Sequence, residues 1–189
     1  MRLFAAVLPP EDVTAEVAVV VDELGKLPGA EGLRWTGRPG WHFTLAFYGE
    51  VDDALVPDLS ARLERAAHRT DPFALELRGG GHFGRRALWI GATGDVRTMR
   101  LLAERSEAAA RKAGVPMEEH RAYRPHLTVA RSRGPADFAP YTALLNDFAG
   151  RPWTVGELRL VRSNLPRSGV PGERPRYETL ARWPLGSGD

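Results

Sequence analysis

Two short stretches carry the residues best able to do chemistry: His42-Phe43-Thr44-Leu45-Ala46 and His126-Leu127-Thr128-Val129-Ala130. The chain holds 5 histidines and ten threonines among 189 residues, so chance supplies about 0.26 His-x-Thr triplets at ordinary usage. Two triplets with the same apolar-Ala continuation therefore point to one site built from two copies. Each stretch has a strand's length. Gly40 and Gly49 bound the first, and Pro125 and Gly134-Pro135 bracket the second. Side chains on a strand alternate faces, so His42 and Thr44 project together, as do His126 and Thr128, while Phe43, Leu45, Leu127 and Val129 anchor the opposite face. By the same alternation the small Ala46 and Ala130 come next on the polar face and leave room for a ligand.

Imidazole is the side chain whose ordinary pKa lets one copy act as base and the other as acid near neutral pH. Two of them facing each other suit an in-line displacement at phosphorus. One takes a proton from attacking water, the other gives one to the leaving oxygen, and the two hydroxyls hold the non-bridging oxygens. This scheme calls for no metal and no cofactor. The alternatives lack residues. A magnesium-dependent phosphodiesterase needs a carboxylate cluster, and the compact run Glu118-Glu119-His120 has neighbours pointing apart and no second ligand pair spaced to join it. With 0 cysteines, thiolate catalysis, disulfides and zinc ribbons are excluded. No serine sits in a nucleophile elbow. Gly79-Gly80-Gly81 precedes neither Gly-Lys-Ser/Thr nor a helix, so it reads as a hairpin connection and not a phosphate cradle. A single histidine on a half-buried strand is more often a structural residue; the matched copy reverses that reading.

The elements that must position these groups follow from periodicity. Arg2 to Leu8 reads as a buried strand, and Pro9-Pro10 leads into a helix with Val13, Val17, Val20, Val21 and Leu24 inward. A brief strand is expected at Leu33 to Thr36. Asp52 or Asp53 caps a second helix with Leu55, Leu59, Leu63 and Ala66 inward, and Asp95 a third with Val96, Met99, Leu102, Ala103 and Ala110. Asp137 opens a short fourth. Further strands are expected at Phe73 to Arg78, Ala87 to Ala92, Trp153 to Val161 and Tyr177 to Trp183. The loop from Ser163 to Arg176 is a candidate flap carrying Arg167, Arg174 and Arg176. The order is not an alternating βαβ series and no glycine fingerprint opens a helix, which argues against a dinucleotide fold. An α+β fold with two similar halves fits, one motif copy in each.

The totals agree with an enzyme of this kind. Hydrophobic residues make up 43% of the chain, enough for a sizeable core. The formal charge is +2, with Lys26 and Lys112 the only lysines. Arginine's planar fork grips phosphate in a bidentate way that lysine does not, although a bias to Ala, Arg, Gly and Pro also reflects a GC-rich genome. The apolar run at Met1 to Pro10 is too short for a signal-peptide core, and no run approaches the length of a membrane span. A cytoplasmic protein is expected. No long amphipathic seam demands an obligate oligomer, so a monomer is expected too.

The paired tetrapeptides His42-Phe43-Thr44-Leu45 and His126-Leu127-Thr128-Val129 resemble the two signatures of the 2H phosphoesterase superfamily. Within it, the chain is similar to the RNA 2′,3′-cyclic phosphodiesterase family, historically called 2′-5′ RNA ligases. The likeness runs from Arg2-Leu3-Phe4-Ala5-Ala6 through Arg34-Trp35, Leu45 to Val51, Leu88-Trp89 and Tyr123-Arg124-Pro125-His126 to Leu160-Val161-Arg162-Ser163 and Trp183-Pro184-Leu185. The resemblance implies a single domain over residues 1–189, bilobal and pseudo-symmetric, each lobe an antiparallel sheet with helices outside and a central cleft between. It implies metal-independent opening of a 2′,3′-cyclic phosphate at an RNA end to a 2′-phosphate, with reversible 2′-5′ ligation as a companion activity. By that analogy His42 is the proton donor, His126 the proton acceptor, and Thr44 and Thr128 hold phosphate.

Other residues are candidates for substrate contact. Arg131 matches a family arginine, but strict alternation puts it on the far face from His126 unless the strand bulges. Tyr123 has the same parity, which suits packing. Tyr48 stands where the family more often has leucine; it, Phe83 and Arg124 offer planes on which a base could stack. Partners are then RNA ends or cyclic nucleotides. Two rival readings remain: a sibling 2H activity on 2′-5′ oligonucleotides or an ADP-ribose cyclic phosphate, and a nucleotide- or RNA-binding module without turnover. Intact histidines and threonines at both copies favour catalysis, since binding alone needs no matched acid and base.

Overall fold

The first strand shows how the layers arise. In β1 (Arg2–Val7), Leu3, Ala5 and Val7 enter the main core, whereas Phe4 and Ala6 join Val161 in a small cluster on the opposite face. The structure is a computed structural model and describes residues 1–118, 121–166 and 173–187. The main-core face of the sheet is where the helices pack. α1 (Glu11–Leu24) buries Val13, Val17, Val20 and Leu24; α2 (Val56–His68) buries Leu59, Leu63 and Ala66; α3 (Val96–Ala113) buries Met99, Leu102, Ala103 and Ala110. α4 (Ala139–Leu145) adds Tyr141 and Leu145. These stripes are the ones that helical spacing predicts. Asp95 caps α3 by accepting from the Thr98 backbone N–H at 3.0 Å. Asp52 accepts from Ala54 N–H at 3.0 Å and caps a short 3-10 turn that runs into α2.

The remaining strands are β2 (Arg34–Trp35), β3 (Phe43–Glu50), β4 (Phe73–Phe83), β5 (Ala87–Gly94), β6 (Leu127–Arg131), β7 (Trp153–Val155), β8 (Glu157–Asn164) and β9 (Arg176–Pro184). They form one antiparallel sheet in the order β7-β4-β5-β6-β3-β1-β8-β9, with β2 on β6. Outward from its middle the two halves read β3-β1-β8-β9 and β6-β5-β4-β7. They meet at a single residue pair, Phe43 with Leu127. The α+β architecture with helices outside and a pseudo-twofold through the middle is as expected. The separate sheets anticipated for the two halves are instead one hydrogen-bonded strip pinched to one pair.

Two strand expectations need correction. The apolar run Trp153 to Val161 is not one strand. It breaks at Gly156, so that β7 completes the β4 edge of one half and β8 crosses to lie beside β1 in the other. Hydropathy cannot register a break that leaves both pieces apolar. Gly79-Gly80-Gly81 is no hairpin connection either, since all three lie inside β4. A Cβ on Gly81 would stand 2.6 Å from the Trp89 ring, and one on Gly80 would stand 2.5 Å from Leu145 Cδ1 and 2.7 Å from the Trp89 carbonyl. The glycines permit close approach. The turn falls after Phe83, at Gly84 with φ 54°. Of the other expectations, Glu119 and His120 of the acidic run and Arg167 of the flap lie outside the described residues.

Gly80→Ala should therefore cost about 1–3 kcal/mol of stability through overpacking. Denaturant unfolding checks this, and an unchanged midpoint would show that Leu145 has room to move.

Candidate active site

The chain enters the first motif on a fixed path. Trp41 donates its indole N–H to the Thr36 carbonyl at 3.1 Å, and a 3-10 turn over Arg38–Gly40 aims the next residue at the open face of the sheet. There His42 Nδ1 lies 2.7 Å from the Gly40 carbonyl, and across the middle His126 Nδ1 lies 2.8 Å from the Arg124 carbonyl. A carbonyl can only accept, so Nδ1 carries a proton in both rings and Nε2 is the nitrogen that titrates. In both cases the carbonyl belongs to the residue two positions earlier. His42 Nε2 is 2.9 Å from Thr44 Oγ1; the hydroxyl donates when the ring is neutral. His126 Nε2 has no such protein partner among the described residues. The antiparallel Phe43–Leu127 pair sets His42 toward Thr128 and Thr44 toward His126, which gathers all four side chains about the pinch in the sheet.

Matched β-bulges decide what else reaches this face. Along β1 the register passes from Ala5–Ala46 to Ala6–Thr44 and skips Leu45; along β5 it passes from Leu88–Ala130 to Trp89–Thr128 and skips Val129. Each extra residue shifts the parity of the strand beyond it. Ala46 and Ala130, expected on the polar face, are consequently in the core at 7% and 0% exposure. Arg131 is returned to the face of His126, which plain alternation denied it. The Val129 carbonyl left by the bulge accepts from Thr36 N–H at 2.9 Å. Arg34 of β2 is register-opposite Arg131 and brings a second guanidinium to that side. Tyr48 goes the other way. It is buried at 4% exposure, its hydroxyl donates to the Ser106 carbonyl at 3.0 Å, and burial pushes its phenol pKa far up, so it offers no plane to a base.

Burial dominates the electrostatics of both histidines. It lowers His42 from 6.5 to about 4, against the pull of the Gly40 carbonyl, with the positive charges of His126 and Arg131 adding to the depression. His126 is lowered for the same leading reason, opposed by the Arg124 carbonyl and assisted by Arg131 and Arg124. Arg131 thus faces both rings. Arg124 serves His126 through its backbone oxygen, while its side chain is exposed. Aromatic residues frame each imidazole. Phe4 stacks on His42 at 4.8 Å between centroids, with Tyr177 edge-on at 5.3 Å; Phe83 meets His126 edge-on at 4.7 Å, with Trp89 at 6.1 Å. Of these only Phe83 was singled out from sequence. The apolar alternation of β1 does turn Phe4 away from the core, but which strand lies beside β1 is not written in that pattern. Tyr123 packs against the main core, in keeping with its parity. Among the described residues no group of three or more His, Asp or Glu converges as a metal site would require.

A histidine strand from each half, converging on one open face, defines a two-histidine cleft on an α+β scaffold. The family model of the 2′-5′ RNA ligase superfamily matches residues 9–167, and the chain belongs to that superfamily. An RNA 2′,3′-cyclic phosphodiesterase of Thermus thermophilus is 31% identical over 194 residues, covering 98% of this chain and 90% of that protein. One from Geobacillus stearothermophilus is 31% identical over 156 residues and 80% of this chain; the match spans 47%, about half, of that relative's length. Among solved structures, E. coli LigT complexed with 3′-AMP superposes with a TM-score of 0.72 at 26% identity, covering 97% of this chain and 96% of that one.

The lowered pKa has a measurable consequence. In an NMR titration the His42 ring should stay neutral until about pH 4. Because the unfolded ring takes its proton near 6.5 and the folded one holds off, this contribution to stability is complete above pH 6.5 and is lost as pH falls toward 4. A His42 signal titrating near 6.5 would mean that the ring is open to water.

Proposed function

We propose that the protein hydrolyses 2′,3′-cyclic phosphate ends of RNA to 2′-phosphates, using His42 as proton donor and His126 as proton acceptor. One observation carries the reading. Two imidazoles with the same fixed tautomer present Nε2 to one arginine-bearing face, that of His42 within hydrogen-bond distance of the Thr44 hydroxyl. Family membership and relatives that bear the name RNA 2′,3′-cyclic phosphodiesterase support the substrate class, and a solved relative complexed with 3′-AMP supports nucleotide recognition.

The division of labour rests on the one asymmetry between the rings. Among the described residues His126 Nε2 hydrogen-bonds to no protein group, which leaves it to take the proton as the water oxygen attacks phosphorus. His42 Nε2 is held by Thr44, and its ring is shielded by Phe4 and Tyr177. It gives its proton to the 3′ oxygen as the P–O3′ bond breaks, leaving the phosphate on the 2′ oxygen. Thr44, Thr128 and Arg131 hold the non-bridging oxygens, and Arg124 adds charge at the mouth. His42 must arrive protonated. At pH 7 that costs about 4 kcal/mol for a ring near 4. A phosphate anion about 4 Å away returns about 4 kcal/mol at the effective dielectric of a protein surface. Substrate therefore brings the acid into its working state, and Nε2–H then donates to Thr44 or phosphate.

The protein would work as one domain and as a monomer in the cytoplasm; no described helix is long and apolar enough to cross a membrane. Phosphate clamps and acid-base groups all come from its own side chains, so turnover of a 2′,3′-cyclic phosphate should persist in excess EDTA and yield a 2′-phosphate. His42→Ala and His126→Ala should each lower kcat by about 10² to 10⁴-fold. A 3′-phosphate product, or near-wild-type turnover by either variant, would overturn the assignment. Since kcat/KM reports the free protein and both rings are lowered there, its optimum should lie below pH 6.5. The kcat optimum should lie higher, because bound phosphate raises both pKa values. Coincident profiles would remove the proposed coupling between binding and protonation.

A further inference from the structure

Arg2 and Phe47 stand on the cleft face, and no step above uses them. Phe47 is 50% exposed, and the Arg2 guanidinium lies 4.7 Å from its ring centroid, within cation–π range. The Leu45 bulge puts Phe47 on this face, just as the Val129 bulge does for Arg131. Arg2 is register-opposite Glu50, yet the Glu50 carboxylate turns to the Met1 amine at 3.3 Å. Among the described residues no carboxylate lies within ion-pairing range of Arg2. A guanidinium held over a ring face by its central carbon has N–H groups left for a bidentate grip on phosphate.

The spacing fits a neighbouring phosphate. Phe47 pairs with Phe4, two residues along β1 from Ala6, the partner of Thr44. At a strand's rise the Phe47 row lies roughly 7 Å and the Arg2 row roughly 14 Å from the Thr44 row, so a guanidinium leaning over Phe47 stands between them, about one to two nucleotides from the reacting phosphorus. Electrostatics agree with this position. Arg131 acts on His42, His126 and Tyr177, whereas Arg2 acts on Tyr177 alone of the three.

We infer that Arg2, braced on Phe47, is a second phosphate subsite that holds the internucleotide phosphodiester next to the reacting cyclic phosphate; this rests on the cleft being a site for RNA ends. The polymer then leaves along the β1–β3 side, past Phe47. A cyclic mononucleotide has no second phosphate and gains nothing from Arg2, so the subsite makes the cleft prefer a polymer end.

The test compares Arg2→Gln and Arg2→Lys with the wild type on two substrates, a 2′,3′-cyclic mononucleotide and an oligoribonucleotide ending in a 2′,3′-cyclic phosphate, over a series of salt concentrations. Arg2→Gln should raise KM for the oligonucleotide about tenfold more than for the mononucleotide. It should also reduce the log–log salt slope of oligonucleotide binding by about 0.7, the share of one phosphate contact on a single strand. Arg2→Lys, which keeps the charge and loses the planar fork, should keep the slope and recover only part of the affinity; it carries the test if thermal melting shows the glutamine variant to be unfolded. Equal KM changes on both substrates, or an unchanged salt slope for Arg2→Gln, would overturn the subsite while wild-type turnover leaves the functional reading intact. A wild-type protein that turns over neither substrate would remove both.

Discussion

A single backbone pair, Phe43 with Leu127, joins the two histidine strands. It is where the two halves of the sheet touch, and its residues come directly after His42 and His126. Because the pairing is antiparallel, each histidine is carried to the threonine of the opposite strand. Both apolar side chains of the pair are fully buried, so the joint is fixed from the helical side while the polar side stays open. Longer pairing at this point would fill the space a phosphate needs, and no pairing would leave the distance between the histidines to side-chain packing alone. One pair gives a hinge-free junction with strands diverging on either side of it.

The two bulges are the second constraint. A phosphate site needs a cation next to its acid and base, and on a regular strand the third residue beyond the threonine would point into the core. Skipping Val129 rotates Arg131 back into the cleft, and the same device at Leu45 delivers Phe47. The duplicated backbone is therefore symmetric where the chemistry is shared and asymmetric in what it presents: a guanidinium in one half, an aromatic ring in the other. In the proposed reading that difference gives the cleft a direction, with the reacting phosphate toward Arg131 and the body of the nucleic acid toward Phe47.

Burial of the histidines looks at first like a handicap, since an acid lowered to about 4 is empty of protons at neutral pH. In the proposed mechanism the Coulomb energy of an arriving phosphate is of the same size as the cost of loading that proton, so the depression would make the acid conditional on substrate. Phe4 and Tyr177 would then act through solvent exclusion: they contribute no reacting atom, yet they cover the His42 ring whose burial dominates its pKa.

The sequence by itself determined the paired His-x-Thr triplets on which the proposed chemistry rests and the local elements. His42, Thr44, His126 and Thr128 were legible because their triplet recurs, and the helical stripes because burial on one face imposes a period that composition preserves. It misplaced Ala46, Ala130 and Tyr48, and left Arg131 conditional on a bulge, for one reason. Face assignment assumed unbroken alternation, and a bulge is specified by the partner strand's register, which has no local signature. It likewise joined β7 to β8, since both pieces are apolar and only the sheet's order sends them to different halves. Which strands are neighbours, which carbonyls fix the ring tautomers, how far burial lowers the histidines and which arginines face the cleft were decided by tertiary structure alone. Each of these depends on distances between segments far apart in the chain, and such distances are set only when the whole core packs.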